Sequence, residues 1–525
     1  MAIGSREFVL QGDAGARPDV LTVLAGAATD GMAWVNGGPV SSCRRTWLDT
    51  FDWRLYRAGL ALEQLTAHGR VQLTLTGRDG EVLESERLAP GARLSWPSLL
   101  TELPPGPLRE LLEPVVGVRA FLPVARAGSQ VRELRALNAD AKTIARLAVD
   151  RMSVTFPARG TAPARLRLTP VRGYYGQADK VGRMLAGVPG VAPGRASALD
   201  TALTAAGARA GERPGKAASV PLSPDMPAAM ALATILTGLL DSLEANVPGT
   251  VRDVDTEFLH DLRIAVRWTR SALKLCGSAL PDGLARSFRP EFRWLGDLTT
   301  PTRDLDVYLL GFSGMAAGLV SATETELAPF QDHLLKSRAA AFRQLARGLR
   351  SARFASLTSS WREALAGVPP GRKRATVGRL AGARIAAANS AALRSGQLIT
   401  ASSPAQSLHD LRKRCKELRY VVEMFGSLHD PAQRWQAVRE LKALQDCLGE
   451  FQDAEVQWTE IRTFAAQMLA DRSAPAETLL GMGEIAAGLA MRQRQARSRF
   501  DARFADFASP ASQARLSDLA RTSAA

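Results

Sequence analysis

Between about residue 226 and residue 510, apolar side chains return every three to four positions, the period of helices that each bury one face. The pattern predicts helices over 226–246, 256–277, 282–299, 304–316 and 322–350, with more to about residue 510 and no convincing strand among them. Before residue 175 the pattern differs. Phe8-Val9-Leu10, Val71-Gln72-Leu73-Thr74-Leu75-Thr76 and Arg165-Leu166-Arg167-Leu168 alternate or cluster as strands do, and Gly77-Arg78-Asp79-Gly80 reads as a hairpin turn. Asp19 to Ala28 and Trp96 to Leu112 look helical or partly so. From about 186 to 225 Gly, Ala, Pro and Ser dominate, a composition that buries too little apolar surface to offset its ordering entropy. The expected fold class is α+β. An N-terminal antiparallel, β-barrel-like domain (1–185) is followed by a linker (186–219) and an all-α domain (220–512).

Two of the helical stretches carry the same polar pattern. At 100° per residue, His260, Arg263, Arg267, Arg270 and Lys274 fall within one arc about 80° wide. His409, Arg412, Lys416 and Arg419 fall in the same arc of the second stretch, with Lys413 beside them. Next to each basic stripe runs an apolar one: Leu259, Leu262, Val266 and Leu273, then Leu408, Leu411, Cys415, Leu418 and Val422. Each helix should bury its apolar stripe and hold the cations at the edge of the core, where water and salt screen them least. Glu423 is the first acidic residue to interrupt the second stripe.

The likeness extends beyond these helices. At a constant offset of 149 residues, Gly277-Ser278 matches Gly426-Ser427, Leu295 matches Leu444, and Asp297 matches Asp446. Asp304, Asp306 and Val307 match Asp453, Glu455 and Val456 without a gap. The C-terminal half therefore reads as a duplicated unit, with repeats at about 220–365 and 366–512 related by a pseudo-two-fold axis.

Composition narrows the partners. A net charge of +15 over 525 residues calls for anionic ones, but the excess is shared by both halves, so only clustering locates a site. Cys43, Cys276, Cys415 and Cys447 form no CxxC pair and read as free thiols in a reducing compartment. No charged segment followed by an apolar one opens the chain, and the apolar run Met226 to Leu240 is too short to span a bilayer, so a cytoplasmic protein with no membrane contact is expected. The sequence does not read out an oligomeric state.

Paired HxxRxxx[RK]xxR helices, each followed by L-x-D-x(6)-D-x-[DE]-V, resemble the CHAD family over about 220–510. That resemblance implies two four-helix bundles facing each other across a basic, histidine-lined groove that binds inorganic polyphosphate, in proteins often associated with polyphosphate granules. CHAD domains are frequently preceded by a CYTH domain, a triphosphate-tunnel fold. Trp47-Leu48-Asp49-Thr50-Phe51-Asp52-Trp53-Arg54-Leu55 with Ala58-Gly59-Leu60 resembles the CYTH aromatic-x-D-T-x-D…L…GL segment, and Leu73-Thr74-Leu75-Thr76-Gly77 resembles its LTLKG strand. The catalytic signature is degenerate. Where CYTH enzymes have ExExK, Ser5-Arg6-Glu7-Phe8-Val9 keeps only Glu7; LRxR reads Leu62-Glu63-Gln64-Leu65, and the strand lysine is Thr76. A tunnel enzyme needs inward carboxylates for a divalent metal and inward cations for the phosphates, so no catalytic residue, cofactor or metal is expected here.

The resulting expectation is a non-enzymatic binder of inorganic polyphosphate that uses His260, Arg263, Arg267, Arg270, Lys274, His409, Arg412, Lys413, Lys416 and Arg419. Asp304, Asp306, Asp453 and Glu455 are expected to cap helices or brace the stripe arginines. Metal chelation by the histidines ranks second, because the adjoining cations repel a divalent ion. Nucleic acid is less favoured, since no aromatic sits at a stripe position to stack on bases and Trp268 and Tyr420 lie off the arc centre. The remaining alternatives are a metal-dependent triphosphate or polyphosphate hydrolase in the N-terminal domain and a general polyanion binder. Arg286/Arg289/Arg293, Arg338/Arg343/Arg347/Arg350 and Arg372-Lys373-Arg374 could extend the track.

Overall fold

A computed structural model describes residues 6–10, 32–78, 80–89, 91, 94–212, 220–320, 322–369 and 375–524. Ser5, Asp79, the Asp19–Ala28 stretch and Arg372-Lys373-Arg374 lie outside the described residues. The backbone divides into two compact units, Met1–Arg213 and Pro214–Ala525.

The first unit is one antiparallel sheet of eleven strands. They are β1 (Arg6–Leu10), β2 (Ala33–Asn36), β3 (Ser41–Asp49), β4 (Leu60–Ala67), β5 (Arg70–Gly77), β6 (Val82–Arg87), β7 (Leu122–Leu137), β8 (Thr143–Phe156), β9 (Gly160–Thr161), β10 (Ala164–Pro170) and β11 (Val191–Pro193). Their order is β11-β1-β10-β8-β7-β3-β4-β5-β6, with β2 beside β7 and β9 beside β8. Among the described residues β11 and β6 do not pair with each other, so the expected barrel does not close. Helix α1 (Arg54–Arg57) starts from buried Asp49, which accepts the N–H groups of Thr50, Leu55 and Tyr56 at 2.7, 2.9 and 2.9 Å. The D-T-x-D segment thus has a structural task as a turn. Period-two alternation places Leu62, Leu73 and Leu75 against α2 (Pro107–Val116), and Phe8, Leu10, Leu166 and Leu168 against α3 (Tyr175–Ala186).

The Gly/Ala/Pro-rich segment is not simply a linker. Val191–Pro193 pairs with β1, and Ala198–Ala205 forms α4, capped by Ser197, whose Oγ accepts the Asp200 N–H at 3.0 Å. Leu199, Ala202 and Leu203 of α4 are buried with Trp47, Met152 and Val154. Composition alone undervalues such a short helix, because the sheet supplies most of the apolar surface it buries.

The second unit is all helix among the described residues. Its helices are α5 (Ala228–Val251), α6 (Thr256–Cys276), α7 (Leu284–Ala317), α8 (Ala328–Leu349), α9 (Ala352–Ala366), α10 (Val377–Gln397), α11 (Ala405–Met424), α12 (Pro431–Ala470), α13 (Ala476–Ala508) and α14 (Pro510–Ala524). The first five are echoed by the last five, as the repeat requires. The cores are not one bundle per repeat, however. Leu236, Leu262 and Trp361 share a single core with Ile385, Leu411 and Phe500 of the second repeat. A second core joins the distal parts of α7, α8, α12 and α13 through Phe312, Phe330, Ile461 and Ile485. Helices of 34 and 40 residues, roughly 50 and 60 Å long, outrun one bundle and pass into the next.

Two sequence expectations need correction here. The helix break expected between 299 and 304 is absent: α7 runs through Pro301. Pro301 leaves the Asp297 carbonyl without its helical donor, and the neighbouring Gly296 carbonyl accepts the Thr299 and Thr300 hydroxyls at 2.9 and 2.8 Å. Also, the apolar run from Met226 continues as the 24-residue α5, which by length and composition alone is long enough to cross a bilayer. In this structure Leu232, Leu236, Leu239 and Leu243 of α5 are buried in the shared core.

Candidate polyanion-binding cleft

Helix α6 begins at Asp255, whose carboxylate accepts the Glu257 and Phe258 N–H groups at 2.9 and 3.1 Å. It ends before Gly277, and α11 before the equivalent Gly426 region. Leu259, Leu262, Val266 and Leu273 are buried, as are Leu408, Leu411, Cys415, Leu418 and Val422. With the apolar stripes inward, each basic stripe is carried to the margin of the core.

The two helices meet at Tyr420. Its ring centroid lies 5.8 Å from that of Trp268, and the guanidinium carbons of Arg267 and Arg419 each lie 5.7 Å from it. One ring therefore holds an arginine from each repeat by cation–π attraction. Further along, Lys274 Nζ is 2.5 Å from Glu417 Oε1. Beside this crossing opens a cleft of ≈ 480 Å³. Arg267, Arg270, Lys274, Arg289, Arg293, Lys413 and Lys416 line it against one carboxylate, Glu417. Five of the ten residues expected at the site are among them; His260, Arg263, His409, Arg412 and Arg419 lie on the same helices outside this lining.

Some stripe cations are already neutralised. Arg412 donates to Gln452 Oε1 and Asp453 Oδ1, both at 2.9 Å. Lys413 lies 3.3 Å from Asp410, and Arg419 3.9 Å from Glu423. Arg263 Nη1 donates instead to the hydroxyls of Thr299 and Thr300 at 3.0 and 2.8 Å, and burial holds its pKa below the ordinary arginine value. Arg267, Arg270 and Lys416 make no ion pair among the described residues. Burial, then the charges of Arg412 and Arg267, push the Lys416 ammonium down to about 8. Half-buried Lys416 thus faces mainly other cations, the condition under which a bound anion contributes most.

The acidic residues divide. Asp453 braces Arg412, and Asp304 acts electrostatically on Arg263. Asp306 instead pairs with Arg338 at 2.6 Å, outside the stripe. Asp304, Asp306, Asp453 and Glu455 all lie inside long helices, so none caps a helix start. Arg338 is spent on Asp306 and Asp253. No group of three His, Cys, Asp or Glu side chains is placed to hold a metal among the described residues. Sequence periodicity missed Tyr420 as an organiser, because it fixes the face of one helix but not where two helices cross. Arg289 and Arg293 were visible only as a basic cluster.

In the strand unit several charged side chains pair with one another. Arg45 donates to both oxygens of Glu63 at 2.5 and 2.9 Å and to Asp150 at 2.7 Å. Glu7 is bonded by Arg165 and lies 3.0 Å from Arg167. Arg165 also donates to Thr201 Oγ1 of α4 at 2.8 Å.

Residues 234–462 match the CHAD domain model. No curated protein matches the chain. Among solved structures, the CHAD domain from the plant Ricinus communis is similar at a TM-score of 0.46 and 22% identity, over 55% of this chain and 95% of that one. PptA from Streptomyces chartreusis is similar at 0.40 and 19%, over 53% of this chain and 99% of that one. A Hippeastrum protein described as having a dominant triphosphatase activity is similar at 0.24 and 15%, over 40% of this chain and 98% of that one. The helical unit thus carries a CHAD domain, at residues 234–462.

Proposed function

We propose that the helical unit binds inorganic polyphosphate in the cleft between α6 and α11. One observation carries this reading: seven cations line the cleft against a single carboxylate, and Arg267, Arg270 and Lys416 have no ion-pair partner among the described residues. Arginine gives planar two-point contacts to phosphate oxygens and lysine a compact point charge. The aromatic residues at the crossing favour a ligand without bases. Tyr420 is 4% exposed and engaged by two guanidinium groups, so it offers no free face for stacking. Association with polyphosphate granules in the cytoplasm follows from the same reading.

We infer that the N-terminal sheet is a CYTH-like unit without hydrolase activity. The support is the mutual pairing of Arg45 with Glu63 and Asp150, and of Glu7 with Arg165 and Arg167, which occupies the charges a metal triphosphate would need.

The test is binding of long-chain polyphosphate to the full chain across a salt series, with RNA as competitor at matched charge. Affinity that falls steeply with salt and is little affected by RNA supports the reading. Equal competition by RNA would make the protein a general polyanion binder, and absence of binding would refute both.

A further inference from the structure

The repeat that builds the cleft does not build it twice. Lys274, Arg289 and Lys413 line the cleft, yet their repeat equivalents are Glu423, Val438 and Ile264. Arg293 corresponds to Lys442, whose ammonium is 2.7 Å from Asp446. By repeat equivalence the related side lacks three of the cations and holds a fourth in an ion pair, while its one carboxylate, Glu423, stands at the Lys274 position and Trp268 replaces Glu417. Arg289 and Arg293, by contrast, make no ion pair among the described residues. Arg289 Nη2 donates to the Leu273 carbonyl at 2.6 Å, near the C-terminal end of α6. That bond holds the guanidinium at the cleft while its other N–H groups remain available. Beyond it, a second hollow of ≈ 550 Å³ shares Arg289 and Arg293 with the cleft and continues along α7 to Leu298, with Asp297 as its carboxylate.

We infer that the anion track is one-sided: a linear phosphate chain leaves the cleft over α7 through Arg289 and Arg293, and the repeat-related side takes none. This rests on the polyphosphate reading and adds to it a direction, with Arg289 and Arg293 as the exit from the cleft, and a stoichiometry. A one-sided track binds one short chain per protein molecule, whereas a symmetric one offers two equivalent sites. The continuation along α7 selects a chain long enough to reach past the first cleft.

The experiment is titration of the full-length protein with a short linear polyphosphate, comparing the wild type with Arg289→Gln/Arg293→Gln and with Lys442→Gln. Both arginines are exposed, and glutamine keeps a donor for the Leu273 carbonyl, so the fold is preserved. The expected result is one chain per molecule in the wild type and a loss of about tenfold or more in the double variant, from two charge-assisted contacts. The dependence on salt should also become shallower by about one to two phosphate contacts, and Lys442→Gln should leave affinity unchanged. Wild-type affinity in the double variant, two chains per molecule, or an equal loss in Lys442→Gln would each overturn one-sidedness while leaving polyphosphate binding intact. Failure of the wild type to bind would overturn the binding reading and this inference together.

Discussion

The Lys274 ammonium lies 2.5 Å from the Glu417 carboxylate, tying the basic helix of one repeat to that of the other. The repeat equivalents of the pair are Glu423 and Trp268, so no such bridge exists on the related side. Lys274 is 67% exposed, so the bridge is screened and readily exchanged for a phosphate oxygen. The approach of α6 to α11 is set by the core they share, in which Leu262 and Val266 are buried with Leu411 and Leu418.

Lys416 should oppose stability and favour binding. Its neighbours are mostly cations, and its charged form is disfavoured by burial. Lys416→Met should raise stability by about 1 kcal/mol while weakening polyphosphate binding, as read by thermal melts and titration. The pH dependence follows from the depressed value. Between about 8 and the ordinary lysine value of 10.5 the unfolded chain holds this proton and the folded chain does not. Stability should therefore rise with pH across that window and affinity should fall. Both trends should flatten in the methionine variant; unchanged trends would remove Lys416 as their source.

Tyr420 contributes its ring rather than its hydroxyl. The hydroxyl is buried with no hydrogen-bond partner, so Tyr420→Phe should leave stability equal or slightly higher. Tyr420→Ala should cost about 3–5 kcal/mol and release Arg267 and Arg419 from their shared ring. Circular dichroism melts and polyphosphate titration of the two variants check this, with phenylalanine expected to bind like the wild type.

Gly296 admits Arg270 to its position. A Cβ there would lie 2.4 Å from Arg270 Nη1, the far end of a flexible side chain. Gly296→Ala should keep the fold, with helix propensity offsetting the contact by about 1 kcal/mol. The displaced guanidinium should reduce affinity several-fold in a titration.

Much of the site is legible in the sequence because a helix obliges residues three and four apart to share a face. The stripes of α6 and α11 follow from that alone, and the 149-residue repeat from residue identities held at one offset. What resists reading is contact between elements. Trp268 and Tyr420 look peripheral on helical wheels, yet their rings are neighbours where the helices cross. Lys274 looks like a free cation until Glu417 of the other repeat is brought beside it. The same reason explains α4, whose few apolar residues suffice only because Trp47 and Val154 complete the core, and the sharing of one core by both repeats.

Glu7 should prove structural. Removing it leaves Arg165, 10% exposed, without its carboxylate. Glu7→Ala should cost about 2–3 kcal/mol in a denaturant melt. Phosphate release from tripolyphosphate with Mg²⁺ or Mn²⁺ should stay at background in the wild type and the variant alike. Metal-dependent turnover lost on Glu7→Ala would instead identify the sheet as a hydrolase.

The most direct measurement is polyphosphate binding by full-length Arg267→Glu/Lys416→Glu, two cleft cations from opposite repeats that have no ion-pair partner among the described residues. The account predicts that binding is abolished while helical circular dichroism is retained. A folded double variant that binds like the wild type would contradict it.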